Sequence, residues 1–388
     1  MKLLVTFSFK SSFEKLEQYG SLTYFVPYTK EITKKNVDLT YLTYGSFIDN
    51  KYSNLLKPAK IIPIYSTTKS RSNKSNLLNS LLVPFKFKRL FKEADLIRTF
   101  QIVGSWVAVI GKILFKKKLL VRTGYEWFIF FLLNEHLKKK KRNYLKYLFQ
   151  YITIYILEYL AYKLADGIIL SSQMDINFII KAFHLEKKAK KNKILHLYNY
   201  IDIDLFKPME IQRKYKNVLF IGRLDNQKNL FNLINAFVDL PDFTLNIVGR
   251  GPYKNELKKL VKKLKLNVKF LGTIPNYEIP KILNQCEIFI LPSYYEGNPK
   301  VLLEAMSCGI PCIGTNVWGI KNIITHKENG YLCNLDSSSI KKAIIDLYKD
   351  VELRKKISVK SREFVIVNCS PSAIVQAEYL FYKKILKI

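Results

Sequence analysis

The sequence predicts an α/β protein of two domains, each a parallel sheet covered by helices. Three observations carry this. The chain has 388 residues, enough for two sizeable cores. Short apolar runs of strand length alternate with stretches of helical spacing along most of it. The stretch Cys286 to Gly319 reads strand, loop, helix, strand, which is the unit of a parallel sheet.

Within that stretch, Cys286 to Leu291 has the continuous apolar run of a buried strand. Pro292, Ser293, Gly297, Asn298 and Pro299 break regular structure. Lys300 to Cys308 is predicted helical, with Val301, Leu302, Ala305 and Cys308 at i, i+1, i+4 and i+7. Gly309 and Pro311 stop the helix, and Pro311 to Thr315 is the next strand. The loop therefore sits at a strand's carboxyl end and a helix N-terminus, where open α/β sheets bind ligands and backbone N–H groups suit an anion. Glu296 lies in the loop and Glu304 eight positions on, inside the helix. Were the interval helical, they would stand about 12 Å apart along the axis. With Glu296 in the loop, the two fit different parts of one long ligand. The plainer alternative is a loop charge and a solvated helix residue.

In the first half, Lys2 to Phe9 reads as a buried strand and Val37 to Tyr44 as a second. Lys10 to Gly20 contains no glycine pair of the kind that cradles phosphate. Thr67 to Asn79 is polar and reads as a loop. Ala94 to Phe100 and Leu119 to Thr123 are strands, with a helix at Val103 to Leu114 between them. Gly124-Tyr125-Glu126-Trp127 follows a strand end, so Glu126 is a candidate to face a ligand, or else an exposed loop carboxylate. From Trp127 to Ile152, aromatics and leucines surround the basic block Lys138 to Arg142. That composition fits a helix lying on anionic lipid; the alternative is an ordinary helix with a solvated basic face. Tyr151 to Asp166 reads as helix and Gly167 to Ser171 as strand.

The second half opens with a strand at Asn217 to Ile221, followed by Gly222, Arg223 and Lys228 before a helix at Leu230 to Val238. Gly222 permits a sharp turn, and two cations at a strand end suit a diphosphate. Phe243 to Val248 is a strand ending in Gly249-Arg250-Gly251-Pro252. This is not a dinucleotide G-x-G-x-x-G, and no cofactor is assigned to it. Glu256 to Leu264 is a basic amphipathic helix, and Val268 to Gly272 is a strand followed by a loop at Thr273. Ser339 to Tyr348, Val351 to Phe364 and Pro371 to Ile388 are helices.

The net charge is +33, from 64 Lys+Arg against 31 Asp+Glu. This favours anionic partners such as phosphorylated substrates or an anionic membrane face. Part of it reflects the joint enrichment in Lys, Asn, Ile, Tyr and Phe expected of an AT-rich genome. No nucleic-acid motif with stacking aromatics is present, so nucleic acid is not an expected partner. The five cysteines are odd in number and sit in apolar settings, against a disulfide framework. Cys308 and Cys312 flank a helix stop, so no metal is expected there or elsewhere. Met1 to Phe9 is too short for a signal peptide, and no uncharged run reaches the roughly 18–20 residues of a spanning helix. A cytoplasmic protein, peripheral on the inner membrane face, is the expectation.

The string E-G-N-P-K-V-L-L-E-A-M-S-C-G-I-P-C-I-G-T, beginning at Glu296, resembles the E-x7-E signature of retaining glycosyltransferases of family 4, which have the GT-B fold. Other segments share the resemblance. Gly222-Arg223-Leu224 with Lys228 is similar to the family's diphosphate clamp. Asn199 to Pro208, N-Y-I-D-I-D-L-F-K-P, resembles its N-G-[IV]-D-x-x-x-F-x-P linker, with Tyr200 in place of Gly. The run A-D-G-I-I-L-S-S-Q from Ala165 resembles its last N-domain strand, and Gly330-Tyr331-Leu332 its closing glycine turn.

The resemblance implies two Rossmann-like domains facing across a cleft. Residues 1–208 with a tail helix at 371–388 would form the acceptor side, and 209–370 the nucleotide-sugar side. It implies retaining transfer of a sugar from a nucleoside-diphosphate sugar to an acceptor hydroxyl, the acceptor being a glycan or membrane-linked lipid in cell-surface polysaccharide synthesis; the alternative is a basic nucleic-acid-binding protein or an inactive GT-B partner. Glu296, Arg223 and Lys228 would be catalytic. Gly222, Thr273, Gly297, Asn298, Lys300, Val301 and Glu304 would hold the donor, and Glu126 the acceptor, without a metal or other cofactor.

Overall fold

The computed structural model describes residues 1–18, 22–65, 73–124, 126–137 and 144–388. The chain divides into two compact units, residues 1–198 with 374–388, and residues 199–373. The division thus falls ten residues before the expected linker boundary at 208 and three after the one at 370.

The first unit holds a seven-stranded sheet of β1 (Lys2–Thr6), β2 (Asp38–Thr43), β3 (Lys60–Pro63), β4 (Leu96–Thr99), β5 (Lys118–Thr123), β6 (Gly167–Leu170) and β7 (Ile194–His196). Their order is β3-β2-β1-β4-β5-β6-β7, and every pairing is parallel. The second holds β8 (Asn217–Ile221), β9 (Thr244–Val248), β10 (Val268–Gly272), β11 (Ile288–Leu291), β12 (Cys312–Thr315) and β13 (Tyr331–Cys333). Its order is β10-β9-β8-β11-β12-β13, again all parallel. Helices cover both faces of such sheets, so central strands are buried on both faces; β4, β6, β11 and β12 are buried at every position.

Sequence periodicity places ten of these thirteen strands. It misses β3, β7 and β13, which are three or four residues long. Residues 73–79, expected as loop, begin the helix Asn73–Lys86. Trp106 Nε1 donates to Ser80 Oγ at 2.9 Å from the neighbouring helix Trp106–Phe115, a tertiary contact that overrides the local polarity. The expected interfacial segment is two helices, Trp127–Leu137 and Tyr144–Leu164, and its basic block Lys138–Arg142 lies outside the described residues. The helices Ser337–Lys349 and Val351–Cys369 start where aspartates cap them. Asp336 Oδ1 accepts from Ser339 N, and Asp350 Oδ1 from Leu353 N, each at 2.8 Å.

Among the described residues, one stretch, Val351–Leu386, could cross a membrane by length and composition. Its buried side chains belong instead to the two cores, among them Ile357, Val365, Val375 and Tyr382. The last helix, Pro371–Leu386, returns the chain to the first unit and is fixed there by a buried ion cluster. Glu378 is fully buried. Its Oε2 accepts from Tyr28 Oη at 2.7 Å and Tyr382 Oη at 2.9 Å. Arg98 Nη1 lies 3.4 Å from that oxygen, and Arg122 pairs with the other. Burial alone would raise the Glu378 carboxyl; the facing Arg122 and Arg98 outweigh it and hold the group below its ordinary value. Removing one partner of such a cluster leaves uncompensated buried charge. Glu378→Ala is therefore expected to cost about 3–5 kcal/mol, read as a shift of the urea midpoint. A midpoint within error of wild type would show that the cluster does not fix this helix.

Candidate active site

In each sheet the strand order reverses beside the first strand, and ligands of doubly wound folds bind at the carboxyl ends flanking that reversal. In the second unit the strands there are β8 and β11, which are direct neighbours. The loop after β8 carries Gly222, Arg223 and Lys228. The loop after β11 carries Ser293, Glu296, Gly297 and Asn298. Adjacent strands thus deliver the two motifs to one place.

Lys228 Nζ and Glu296 Oε1 form an ion pair, with both side chains about a tenth exposed. Ser293 Oγ donates to the same carboxylate oxygen at 2.6 Å. The two loops are laced together beside it: Tyr294 N donates to Gln227 O at 2.8 Å, and Gln227 Nε2 to Tyr295 O at 2.9 Å. Arg223 is different. Its side chain is 71% exposed, held only by Asp225 Oδ2 at 3.0 Å and Gln227 Oε1 at 3.1 Å. A solvated guanidinium on such partners can exchange them for phosphate at little cost.

Glycines let the backbones meet. A Cβ on Gly249, at φ +139°, would lie 1.9 Å from Gly222 O, and one on Gly251 2.3 Å from Leu224 O. The G-x-G-P turn therefore presses against the loop that carries Arg223. Gly319, at φ +86°, does the same for Glu296, since its Cβ would stand 2.2 Å from Glu296 O. Glu296 N donates to Trp318 O at 2.8 Å.

The helix Lys300–Ser307 has Pro299 at its cap and no side-chain cap bond. Its first turn thus suits an anion. Glu304 sits inside this helix and is buried, which corrects the alternative of a solvated helix residue. Gly297 and Asn298 are buried, Lys300 and Val301 half-buried, and Thr273 exposed. Thr273 follows β10, whose last residue Gly272 accepts from Gly249 N at 2.7 Å.

Sequence reasoning missed three contributors. Ser293 was legible only as a structure breaker. Asn199 N donates to Asn298 Oδ1 at 3.1 Å, and Asn199 Nδ2 to Asn298 O at 2.9 Å. The start of the linker thereby holds the loop before the helix. Lys300 Nζ lies 5.7 Å from the Tyr200 ring centroid, so the residue standing in place of the resembled linker's Gly makes a cation–π contact. Neither Asn199 nor Tyr200 has positive φ, so this turn needs no left-handed residue.

Glu126 belongs to the other unit. It is 1% exposed, beneath the helix Tyr144–Leu164, whose Tyr162 Oη donates to it. The expectation of an exposed loop carboxylate is thereby corrected. Beside it, Glu158 Oε1 accepts from Phe128 N at 3.0 Å. Burial pushes the Glu158 carboxyl up to about 8. Burial, with Glu158 and Asp175 nearby, drives Glu126 well above its usual range. All five cysteines are free and buried. Among the described residues, no group of three His, Cys, Asp or Glu could hold a metal.

Two parallel doubly wound units, with the end of the last helix belonging to the first, have the architecture of the GT-B fold. Residues 202–364 match the family described as Glycosyl transferases group 1. The chain is 34% identical over 211 residues to N-acetyl-alpha-D-glucosaminyl L-malate synthase of Bacillus anthracis, covering 50% of this chain and 55% of that one. The chain thus spans about half the length of that relative. It is 28% identical over 304 residues to N-acetylgalactosamine-N,N'-diacetylbacillosaminyl-diphospho-undecaprenol 4-alpha-N-acetylgalactosaminyltransferase of Campylobacter jejuni, covering 76% and 79%. In fold it is similar to the Anabaena protein HepE, solved with UDP, at a TM-score of 0.74 and 19% identity, covering 98% and 99%.

Two outcomes are expected from this geometry. Glu158 keeps its proton in the folded state from its unfolded value of 4.5 up to about 8, so stability falls as pH rises through that window. Glu158→Gln removes this loss, and its thermal midpoint should gain on wild type steadily between pH 5 and pH 8. A parallel pH profile would show that Glu158 is not buried as an acid. Gly319→Ala forces strain at positive φ against Glu296 O and should destabilise by about 1–3 kcal/mol, measured by denaturant unfolding. A neutral substitution would mean that the Trp318 turn does not brace Glu296.

Proposed function

We propose that the chain is a retaining glycosyltransferase. In this reading it moves a sugar from a nucleoside-diphosphate sugar to a hydroxyl of a membrane-linked glycan or lipid, in cell-surface polysaccharide synthesis, at the inner face of the cell membrane. The observation that carries the reading is the Lys228–Glu296 pair at the strand-order reversal of the second unit, with Arg223 beside it. The UDP in the HepE structure supports a nucleotide donor. The diphospho-undecaprenol named for the Campylobacter relative supports a membrane-linked acceptor.

In this reading Arg223 and Lys228 meet the negative charge that grows on the departing diphosphate, in the place where other enzymes use a metal. The N–H groups around Asn298, Lys300 and Val301, at the helix start, hold phosphate and sugar. Gly222 and Gly297 allow close approach of the donor. Backbone at Thr273 lies by the base. Glu296, its second oxygen not taken by Lys228 and Ser293, accepts from sugar hydroxyls near the anomeric carbon. Glu304 accepts from the ribose.

Because Arg223 acts mainly as the leaving group departs, Arg223→Ala should lower kcat by about 10²–10³ with a much smaller change in donor Kd. Equal losses in both would remove it from that role. Glu304→Gln should weaken nucleoside-diphosphate affinity in a titration, and unchanged affinity would exclude it from the ribose site. The anomeric configuration of the product, read by NMR, tests retention directly; inversion overturns it.

A further inference from the structure

Three helices of the first unit lie side by side on one sheet face. Asn73–Lys86 is bonded to Trp106–Phe115 through Ser80 and Trp106, and the latter packs against Tyr144–Leu164. All three lie in crossovers that step from β3 through β4 and β5 to β6 in one direction, which right-handed connections place on a single face. Asn73–Lys86 and Tyr144–Leu164 each bury one stripe and expose another, and the exposed stripes are apolar where solvated helices carry charge. In Tyr144–Leu164, Ile154, Glu158 and Ala161 face the core, while Phe149, Ile152 and Ile156 face outward at helical spacing. Phe149 is 72% exposed. In Asn73–Lys86, Leu78, Leu82 and Phe85 stand outward, Leu78 at 65%. In Trp106–Phe115, Ile113 and Leu114 are exposed in the last turn. Exposed large apolar side chains on three adjacent helices mark a site of interaction.

We propose that this three-helix face lies on an anionic lipid bilayer, with its apolar stripes entering the boundary between headgroups and acyl chains. The charges around it select that occupant. Among the described residues, the three helices carry one acid, Glu158, and it is buried beneath them. Exposed Lys86, Lys88 and Lys116 lie at the ends of the stripes, and the nearby Glu93 is neutralised by Arg89 and Lys2. A bilayer with anionic headgroups complements this pattern, each lysine near it adding about 1 kcal/mol of attraction. A second copy would press the same cations against one another across a two-fold axis. The surface differs from the basic block at 138–142 and does not depend on it. The inference rests on the membrane-side acceptor of the proposed function and gives that acceptor a place.

The test is co-sedimentation of the full chain with phosphatidylcholine vesicles, with and without phosphatidylglycerol. Light scattering of the free protein and UDP titration run alongside. Wild type should bind the mixed vesicles and bind phosphatidylcholine alone weakly. The double variant Phe149→Gln, Ile152→Gln should lose about ten-fold or more of the partitioning at low and high salt alike. Lys86→Gln with Lys88→Gln should weaken binding at low salt only. All these positions are exposed, and UDP affinity should match wild type in every variant. Failure of wild type to bind mixed vesicles overturns the inference, as does equal binding by the Phe149 and Ile152 double variant. A wild-type dimer that this variant makes monomeric assigns the face to a second copy and overturns it too. Absent UDP binding in all proteins would strike the donor reading and leave the vesicle result standing.

Discussion

Lys228 and Glu296 are two charges taken out of water together, and the second unit is arranged so that neither is buried alone. Removing a carboxylate and an ammonium from solvent costs several kcal/mol each. Their attraction repays this only with good geometry and further bonds. Ser293 supplies one to Glu296. The parallel pairing of β8 with β11 supplies the geometry, because neighbouring strands end side by side and release their loops at the same edge. Gly222, Gly249, Gly251 and Gly319 then allow four backbone segments to close around the pair without side-chain collision. A site assembled this way is preorganised: its charges are fixed before any ligand arrives, so little reorganisation remains to be done at reaction. Arg223, exposed and loosely held, is the movable counterpart to the fixed Lys228.

The first unit handles its buried charge differently. Around Glu378, two arginines and two tyrosines satisfy a carboxylate that fixes the last helix, and the group stays ionised. Around Glu126 and Glu158 no cation among the described residues faces the carboxylates, so burial dominates and both hold their protons more tightly. The same residue type is thus an anchor in one place and a near-neutral acid in the other, decided by what stands opposite. The outer helices of this unit follow another logic: their cores are packed while their outer stripes remain apolar and free of acids.

Much of this was legible in the sequence because long apolar runs and glycine or proline stops carry their own physics. β8 and β10 begin and end where periodicity puts them. The Glu296 loop and the helix after it follow from Pro299 and the spacing of Val301, Leu302 and Ala305. What was not legible depended on partners far away in the chain. Residues 73–79 look like loop until Trp106 meets Ser80. Glu126 looks exposed at a strand end until Tyr162, 36 residues on, closes over it. Asn199 gains its meaning only from Asn298, 99 residues away. Local patterns report backbone preference and one buried face, whereas pairings between distant loops are set by strand order, which no single segment encodes.

The central claim is that the buried ammonium of Lys228 is part of a diphosphate site. Titration of UDP into wild type and Lys228→Ala tests it most directly, with a folded-state check by circular dichroism. The account predicts that the variant stays folded and binds UDP at least about ten-fold more weakly, the loss expected of a charge-assisted contact. A folded variant that binds UDP as tightly as wild type would contradict it.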